Sequence, residues 1–162
     1  MISAPTALVP THTLHSFKCG NPSLDEWLTR RAFANHNNGA SRVYVVCLDS
    51  YVIGYYALAV GSASSSEAPG KIKRNMPDPI PVMVLGKLAI DERWQGKGIG
   101  KDLLQDAVLR AMQAAEIGGI RAMLVDAIDN KAAEFYERSG FLVSPIKPLK
   151  LFLPLYPLLK TT

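Results

Sequence analysis

The residues best suited to chemistry lie in one short run, Gln95-Gly-Lys-Gly-Ile-Gly100. Before it stands an aliphatic, β-branched stretch, Val82–Ile90. After it, Ile99, Leu103, Leu104, Ala107, Val108, Ala111, Met112 and Ala115 recur at helical spacing. A glycine turn that opens a helix offers unpaired backbone N–H groups and the positive end of the helix dipole. Glycines let an anion approach the chain closely, so the run is a phosphate cradle by its physics. A dinucleotide fingerprint needs G-x-G-x-x-G, and this run spaces its glycines G-x-G-x-G. A nucleoside-triphosphate loop needs a longer span and a hydroxyl for magnesium, where Asp102 stands instead. What fits is Gln or Arg, two residues, Gly, one residue, then Gly or Ala, through Gln95, Gly98 and Gly100. Without context the same run is also a plain strand-to-helix turn.

A second candidate group is Asn130-Lys-Ala-Ala-Glu-Phe-Tyr-Glu-Arg-Ser-Gly-Phe141, whose Asn130 stands thirty residues after Gly100. On residue type alone, Tyr136 is an aromatic packed beside Phe135 and Phe141. Asp91, Glu92 and Asp126 flank strands and read as caps or ion-pair partners. His12, His15 and His36 are isolated and read as surface or packing residues, so no general base stands out. Cys19 and Cys47 make no metal-type pair, and neither a disulfide framework nor a zinc site is expected.

Charge adds a third group. The chain carries 18 Lys+Arg against 14 Asp+Glu, for +4 and an isoelectric point near 9.1. The window Lys71–Lys101 alone holds seven basic and three acidic residues, and the remainder balances at 11 against 11. Lys71, Lys73 and Arg74 precede a proline-rich run, while Arg93 and Lys97 flank the glycine turn. A basic patch of this kind suits nucleic-acid phosphates and disfavours cationic substrates. Each of these charges also has the simpler reading of a solvated surface residue.

The two motifs, in this order and at this separation, resemble the coenzyme-A site of the GNAT superfamily of N-acetyltransferases. Val84-Leu-Gly-Lys-Leu-Ala-Ile-Asp91 looks like the strand that precedes its pyrophosphate loop and pairs with the pantetheine arm. The resemblance implies acetyl-CoA as acetyl donor and no metal. It implies cofactor contacts from Leu88, Ala89, Ile90, Gln95, Gly96, Lys97, Gly98, Ile99, Gly100, Asn130 and Tyr136. It makes the N–H of Leu88 (or Ala89) the oxyanion donor and Tyr136 the acid that protonates the leaving thiolate.

Three further stretches narrow the resemblance to the GNAT toxins of bacterial type II toxin–antitoxin systems. They are Phe17-Lys-Cys-Gly-Asn-Pro-Ser-Leu-Asp-Glu-Trp-Leu28, Lys73-Arg-Asn-Met-Pro-Asp-Pro-Ile-Pro-Val82 and Leu151-Phe-Leu-Pro-Leu155. The likeness runs from about Leu14 to Leu159. It implies an enzyme that acetylates the α-amine of aminoacyl-tRNA and so blocks translation. It also implies a homodimer, a ribbon-helix-helix antitoxin, and DNA binding only through the antitoxin complex. Lys71, Lys73, Arg74, Arg93 and Lys97 are then the candidate tRNA contacts. The alternatives are a GNAT acting on a protein N-terminus, a lysine or a small-molecule amine, and a GNAT-like binding module without catalysis.

These residues need a scaffold to position them. The 162 residues fit a single domain, 1–162, of α/β class, with a mixed twisted central sheet flanked by helices. Asn21-Pro22 opens a helix expected to reach about Asn35. Arg42–Leu48 and Tyr51–Val60 read as a hairpin. Gly61–Pro81 is expected to be about twenty irregular residues, since its prolines exclude a regular strand. Val82–Ile90, Arg121–Ala127, Phe141–Ser144 and Lys150–Tyr156 are the later strands, and Asn130–Ser139 a short helix. Pro154 places the last strand at an edge or a bend. The apolar tail Leu149–Leu159 offers a dimer surface. No run reaches the ~18–20 apolar residues of a membrane helix, and a soluble cytoplasmic protein is expected.

Overall fold

The computed structural model describes residues 1–155. They form two compact units: Met1–Ala59 with Gly86–Ala107, and Val60–Leu85 with the residues from Val108 onward. The strands are β1 (Thr6–Ala7), β2 (Arg42–Leu48), β3 (Tyr51–Ala63), β4 (Ile80–Ile90), β5 (Ala122–Asp126), β6 (Leu142–Val143) and β7 (Lys150–Pro154). The helices are α1 (Pro22–Arg30), α2 (Ala32–Asn38), α3 (Gly70–Lys73), α4 (Ile99–Gly118) and α5 (Asn130–Arg138). The strand order is β1-β2-β3-β4-β5-β7-β6. β4 and β5 are parallel, whereas β1–β2, β2–β3, β5–β7 and β6–β7 are antiparallel. The chain is therefore an α/β protein with a mixed sheet. No helix of the described residues is long and apolar enough to cross a membrane.

In the first unit the β2–β3 hairpin carries a core that includes Val43, Val45, Tyr55 and Ala57. Asn21 caps α1 by accepting from the Ser23 N–H at 3.0 Å, with Pro22 at the first helical position. Trp27 of α1 stacks on Tyr55 of β3 at 5.9 Å between ring centroids, and the Tyr55 hydroxyl donates to the Leu24 carbonyl at 2.7 Å. Stacking adds about 0.5–1.5 kcal/mol beyond area burial, and the hydrogen bond satisfies the phenol within the core. The single helix expected to reach Asn35 is instead two. At Arg31 the backbone leaves helical geometry (φ −122°, ψ −28°), with Leu28 and Ala32 fully buried on either side. Core packing therefore sets a break that no glycine or proline announces.

The second unit corrects the expectation for Gly61–Pro81. β3 continues to Ala63, a 3₁₀ turn covers Ser65–Glu67, α3 follows, and β4 already begins at Ile80. Gly61 serves packing, because a Cβ there would stand 2.8 Å from Cγ2 of Val84. Ala68, Ile72, Ile80 and Phe152 are fully buried in one cluster, so the segment owns a piece of core. Pro81 is tolerated near the start of its strand, where its carbonyl accepts from the Arg121 N–H at 2.9 Å. Of the two expectations for the last strand, an edge or a bend, the edge is corrected, since β7 lies between β5 and β6. Pro154 pairs with Ala122, while the β6 ladder reaches only Leu151 and Phe152. The proline thus sits where its missing N–H has no β6 partner to serve. Tyr156, the rest of the tail to Leu159, and Lys160 lie outside the described residues.

Candidate active site

The β4–β5 ladder covers only Val82–Val84 against Ala122–Leu124. Residues 85–90 of β4 have no β5 partner among the described pairings. Leu88 and Ile90 are half-buried there and Ala89 is buried. Such a strand segment has backbone groups to offer to an extended ligand. Asp91 follows, at 1 % exposure, and its carboxylate accepts four hydrogen bonds. These come from the Lys18 N–H (3.1 Å), the Arg93 N–H (3.0 Å), and Arg93 Nε (3.0 Å) and Nη2 (3.3 Å). Burial pushes the Asp91 carboxyl up, but the bonds from Arg93 and the two backbone N–H groups outweigh it and hold it below the usual carboxylate range.

The turn then closes on the helix. A 3₁₀ turn, Glu92–Trp94, leads to Gln95, whose Nε2 donates to the carbonyls of Cys19 (2.9 Å) and Ile90 (2.8 Å). Gly96 and Gly98 have φ of +77° and +85°, the left-handed region where a side chain is strained. A Cβ at either would meet nothing within 4 Å, so the loop faces open space. Lys97 is exposed between them. Helix α4 begins at Ile99, and its first-turn N–H groups lack intrahelical partners. The loop therefore combines bare backbone, a helix N-terminus and a nearby cation, which suits a phosphate group.

In the second unit Asp129 caps α5 by accepting from the Ala132 N–H at 2.8 Å, which leaves Asn130 exposed at the first helical position. Tyr136 is 6 % exposed and meets Phe135 and Phe141 edge-on, with ring centroids 5.2 and 5.4 Å away. No described residue hydrogen-bonds to its hydroxyl. Burial pushes that hydroxyl above the usual tyrosine range, so it stays protonated and can donate. Lys71, Lys73 and Arg74 are exposed on α3 and its end. The short helix is held by Arg121, which donates through Nε to the Ile72 carbonyl (3.2 Å) and through Nη2 to that of Lys71 (3.5 Å). Just ahead of it, Glu67 pairs with Lys147 (3.0 Å) and Lys150 (2.8 Å).

Residues 39–143 match the acetyltransferase (GNAT) domain. The chain belongs to the GNAT acetyltransferase family. It is 48 % identical over 151 residues to a tRNA-acetylating toxin of Mycobacterium tuberculosis (strain ATCC 25618 / H37Rv), covering 93 % of this chain and 91 % of that protein. It superposes on AtaT complexed with acetyl-methionyl-tRNAfMet with a TM-score of 0.90, at 29 % identity and full coverage of both chains. It also matches a tyrosine-to-phenylalanine mutant of the AtaT toxin bound to the C-terminus of the antitoxin AtaR and acetyl-CoA. That match has a TM-score of 0.81 at 28 % identity, covering 99 % of each chain.

As a GNAT acetyltransferase, the protein is an enzyme that uses acetyl-CoA as its donor. The glycine loop fits the coenzyme's pyrophosphate on its own geometry, through two left-handed glycines and an open face at the start of α4. Leu88, Ala89, Ile90 and Gln95–Gly100 all belong to the first unit, whereas Asn130, Tyr136, Lys71, Lys73 and Arg74 belong to the second. Arg93 differs from the other basic candidates, because the Nε–Nη2 edge of its guanidinium is engaged by Asp91. Asp91, read from the sequence as a cap or ion-pair partner, is both. Sequence reasoning missed Lys18 and Cys19, whose backbone groups tie the turn to the chain before α1. Only their presence in a family-like stretch pointed to them. Among the described residues no group of three or more His, Cys, Asp or Glu is placed to hold a metal ion.

Proposed function

We propose that this GNAT enzyme transfers acetyl from acetyl-CoA to the α-amine of aminoacyl-tRNA and so removes the amine that peptide-bond formation needs. The full-length likeness to the mycobacterial tRNA-acetylating toxin carries this reading. Substrate chemistry supports it. A lysine amine titrates near ~10.4, whereas an α-amine lies near ~7.7–8.0 and is largely neutral at working pH. An ester carbonyl beside that amine lowers it further. An enzyme with no evident general base among its described residues is suited to such a nucleophile.

Acetyl-CoA supplies an activated acyl group as a thioester. In the proposed site the Gln95–Gly100 loop and Asn130 hold the coenzyme, and Leu88–Ile90 orient its arm through backbone groups. The N–H of Leu88, or that of Ala89 beside it, stabilises negative charge on the carbonyl oxygen as the amine's C–N bond forms. As the C–S bond breaks, Tyr136 gives its proton to the sulfur and regains one from solvent, which also takes the proton shed by the amine. Lys71, Lys73 and Arg74 contact the tRNA backbone, with Lys97 and Arg93 as further basic residues near the coenzyme loop. The protein works in the cytoplasm as a homodimer. A ribbon-helix-helix antitoxin neutralises it, and DNA is met only through that complex.

The test is incubation with labelled acetyl-CoA and a mixture of charged tRNA, uncharged tRNA and lysine-containing peptide. Label on charged tRNA alone is expected. Label on peptide with none on tRNA would refute the assignment.

A further inference from the structure

The stretch Phe17–Asp25 carries no assigned role, yet its backbone is joined to the turn ahead of the coenzyme loop by several hydrogen bonds. The Lys18 N–H donates to Asp91 Oδ2 (3.1 Å), and the Lys18 carbonyl accepts from the Glu92 N–H (2.7 Å). The Cys19 N–H donates to Asp25 Oδ1 of α1 (2.9 Å), and the Cys19 carbonyl accepts from Gln95 Nε2 (2.9 Å). A further bond runs from the Asp91 N–H to the Ile53 carbonyl of β3 (2.8 Å). Gln95 stands immediately before Gly96, and its amide spends both N–H donors on the carbonyls of Cys19 and Ile90. Both partners are acceptors, so only a donor-bearing end group fits between them.

We propose that Gln95 and Asp91 are positioning residues that lock the Lys18–Cys19 segment against β4 and thereby pre-shape the Gly96–Gly100 loop for the pyrophosphate of coenzyme A. The proposal rests on the reading that this loop holds the pyrophosphate. Two left-handed glycines give the loop little rigidity of its own, and its N–H groups converge on an anion only if both ends are fixed. One end is helix α4, and the other is the Gln95–Asp91 lock. On this view the amide of Gln95 faces the protein, and any contact this residue makes with coenzyme comes from its backbone.

The test compares coenzyme A with pantetheine, which lacks the pyrophosphate and nucleotide. Calorimetric titration is run on the wild type, Gln95→Glu, Gln95→Arg and Asp91→Asn. Gln95→Glu sets a carboxylate against two carbonyls and is expected to weaken coenzyme-A binding about tenfold, the equivalent of one or two lost hydrogen bonds. Pantetheine binding should change by less than about twofold. Gln95→Arg restores donors and should recover most of the affinity. Asp91→Asn should selectively weaken coenzyme A in the same way, which preserves the test should Gln95→Glu fail to fold. A wild type that binds coenzyme A no better than pantetheine would overturn the reading of the loop itself. A wild type that prefers coenzyme A, with Gln95→Glu or Asp91→Asn keeping that full preference, would overturn the positioning role alone.

Discussion

Tyr136 carries two demands at once. Its ring is wedged between Phe135 and Phe141, while its hydroxyl has no hydrogen-bonding partner among the described residues. Removing only that oxygen separates the two. Tyr136→Phe should leave coenzyme-A affinity within about twofold and lower kcat by roughly 10²–10⁴, the range for loss of a general acid. Unchanged kcat would make Tyr136 a packing residue. Asp91 supports a stability prediction. Its folded-state carboxyl titrates below the ordinary value near ~3.9, so its contribution is fully present above that pH and is lost as pH falls through the depressed value. Asp91→Asn should therefore lower Tm at pH 6 and narrow its gap to the wild type below about pH 4. A gap that stays constant across that window would contradict this linkage.

At the scale of elements, the features legible in the sequence were those set by neighbouring residues. Helix α4 begins at Ile99 as its apolar stripe requires, and the Asn21-Pro22 start of α1 follows from capping chemistry. The unread features depend on distant contacts. The break at Arg31 follows from burying Leu28 and Ala32, and β1 exists only through its pairing with Val45 and Tyr44. The order within Gly61–Pro81 comes from Phe152 and Ala122, far along the chain. Of the candidate site, the glycine loop was readable because its φ angles demand glycine, whereas the lock by Lys18 and Cys19 uses backbone groups that no side-chain pattern reports. The α3 turn is held by Arg121 carbonyl contacts, so its cations are displayed from a fixed backbone. Lys73→Glu with Arg74→Glu should weaken charged-tRNA binding and reduce its salt dependence by roughly one ion per lost phosphate contact, with coenzyme-A affinity unchanged. Unaltered affinity and salt slope would remove this turn from the RNA interface.

For the whole molecule, the +4 net charge is modest, and its excess falls within Lys71–Lys101. That window includes both α3 and the Gly96–Gly100 loop, so the basic residues lie on elements that the proposed reaction uses. The same chain then has to recognise a polyanionic substrate and activate a small acyl group. Its claim to do so is specific about one atom, the α-nitrogen of the amino acid esterified to tRNA. The most direct measurement is nuclease digestion of charged tRNA after reaction with acetyl-CoA, followed by mass spectrometry of the released aminoacyl-adenosine. N-acetylaminoacyl-adenosine is the result expected. Aminoacyl-adenosine of unchanged mass, with acetyl recovered on protein or free amines, would contradict it.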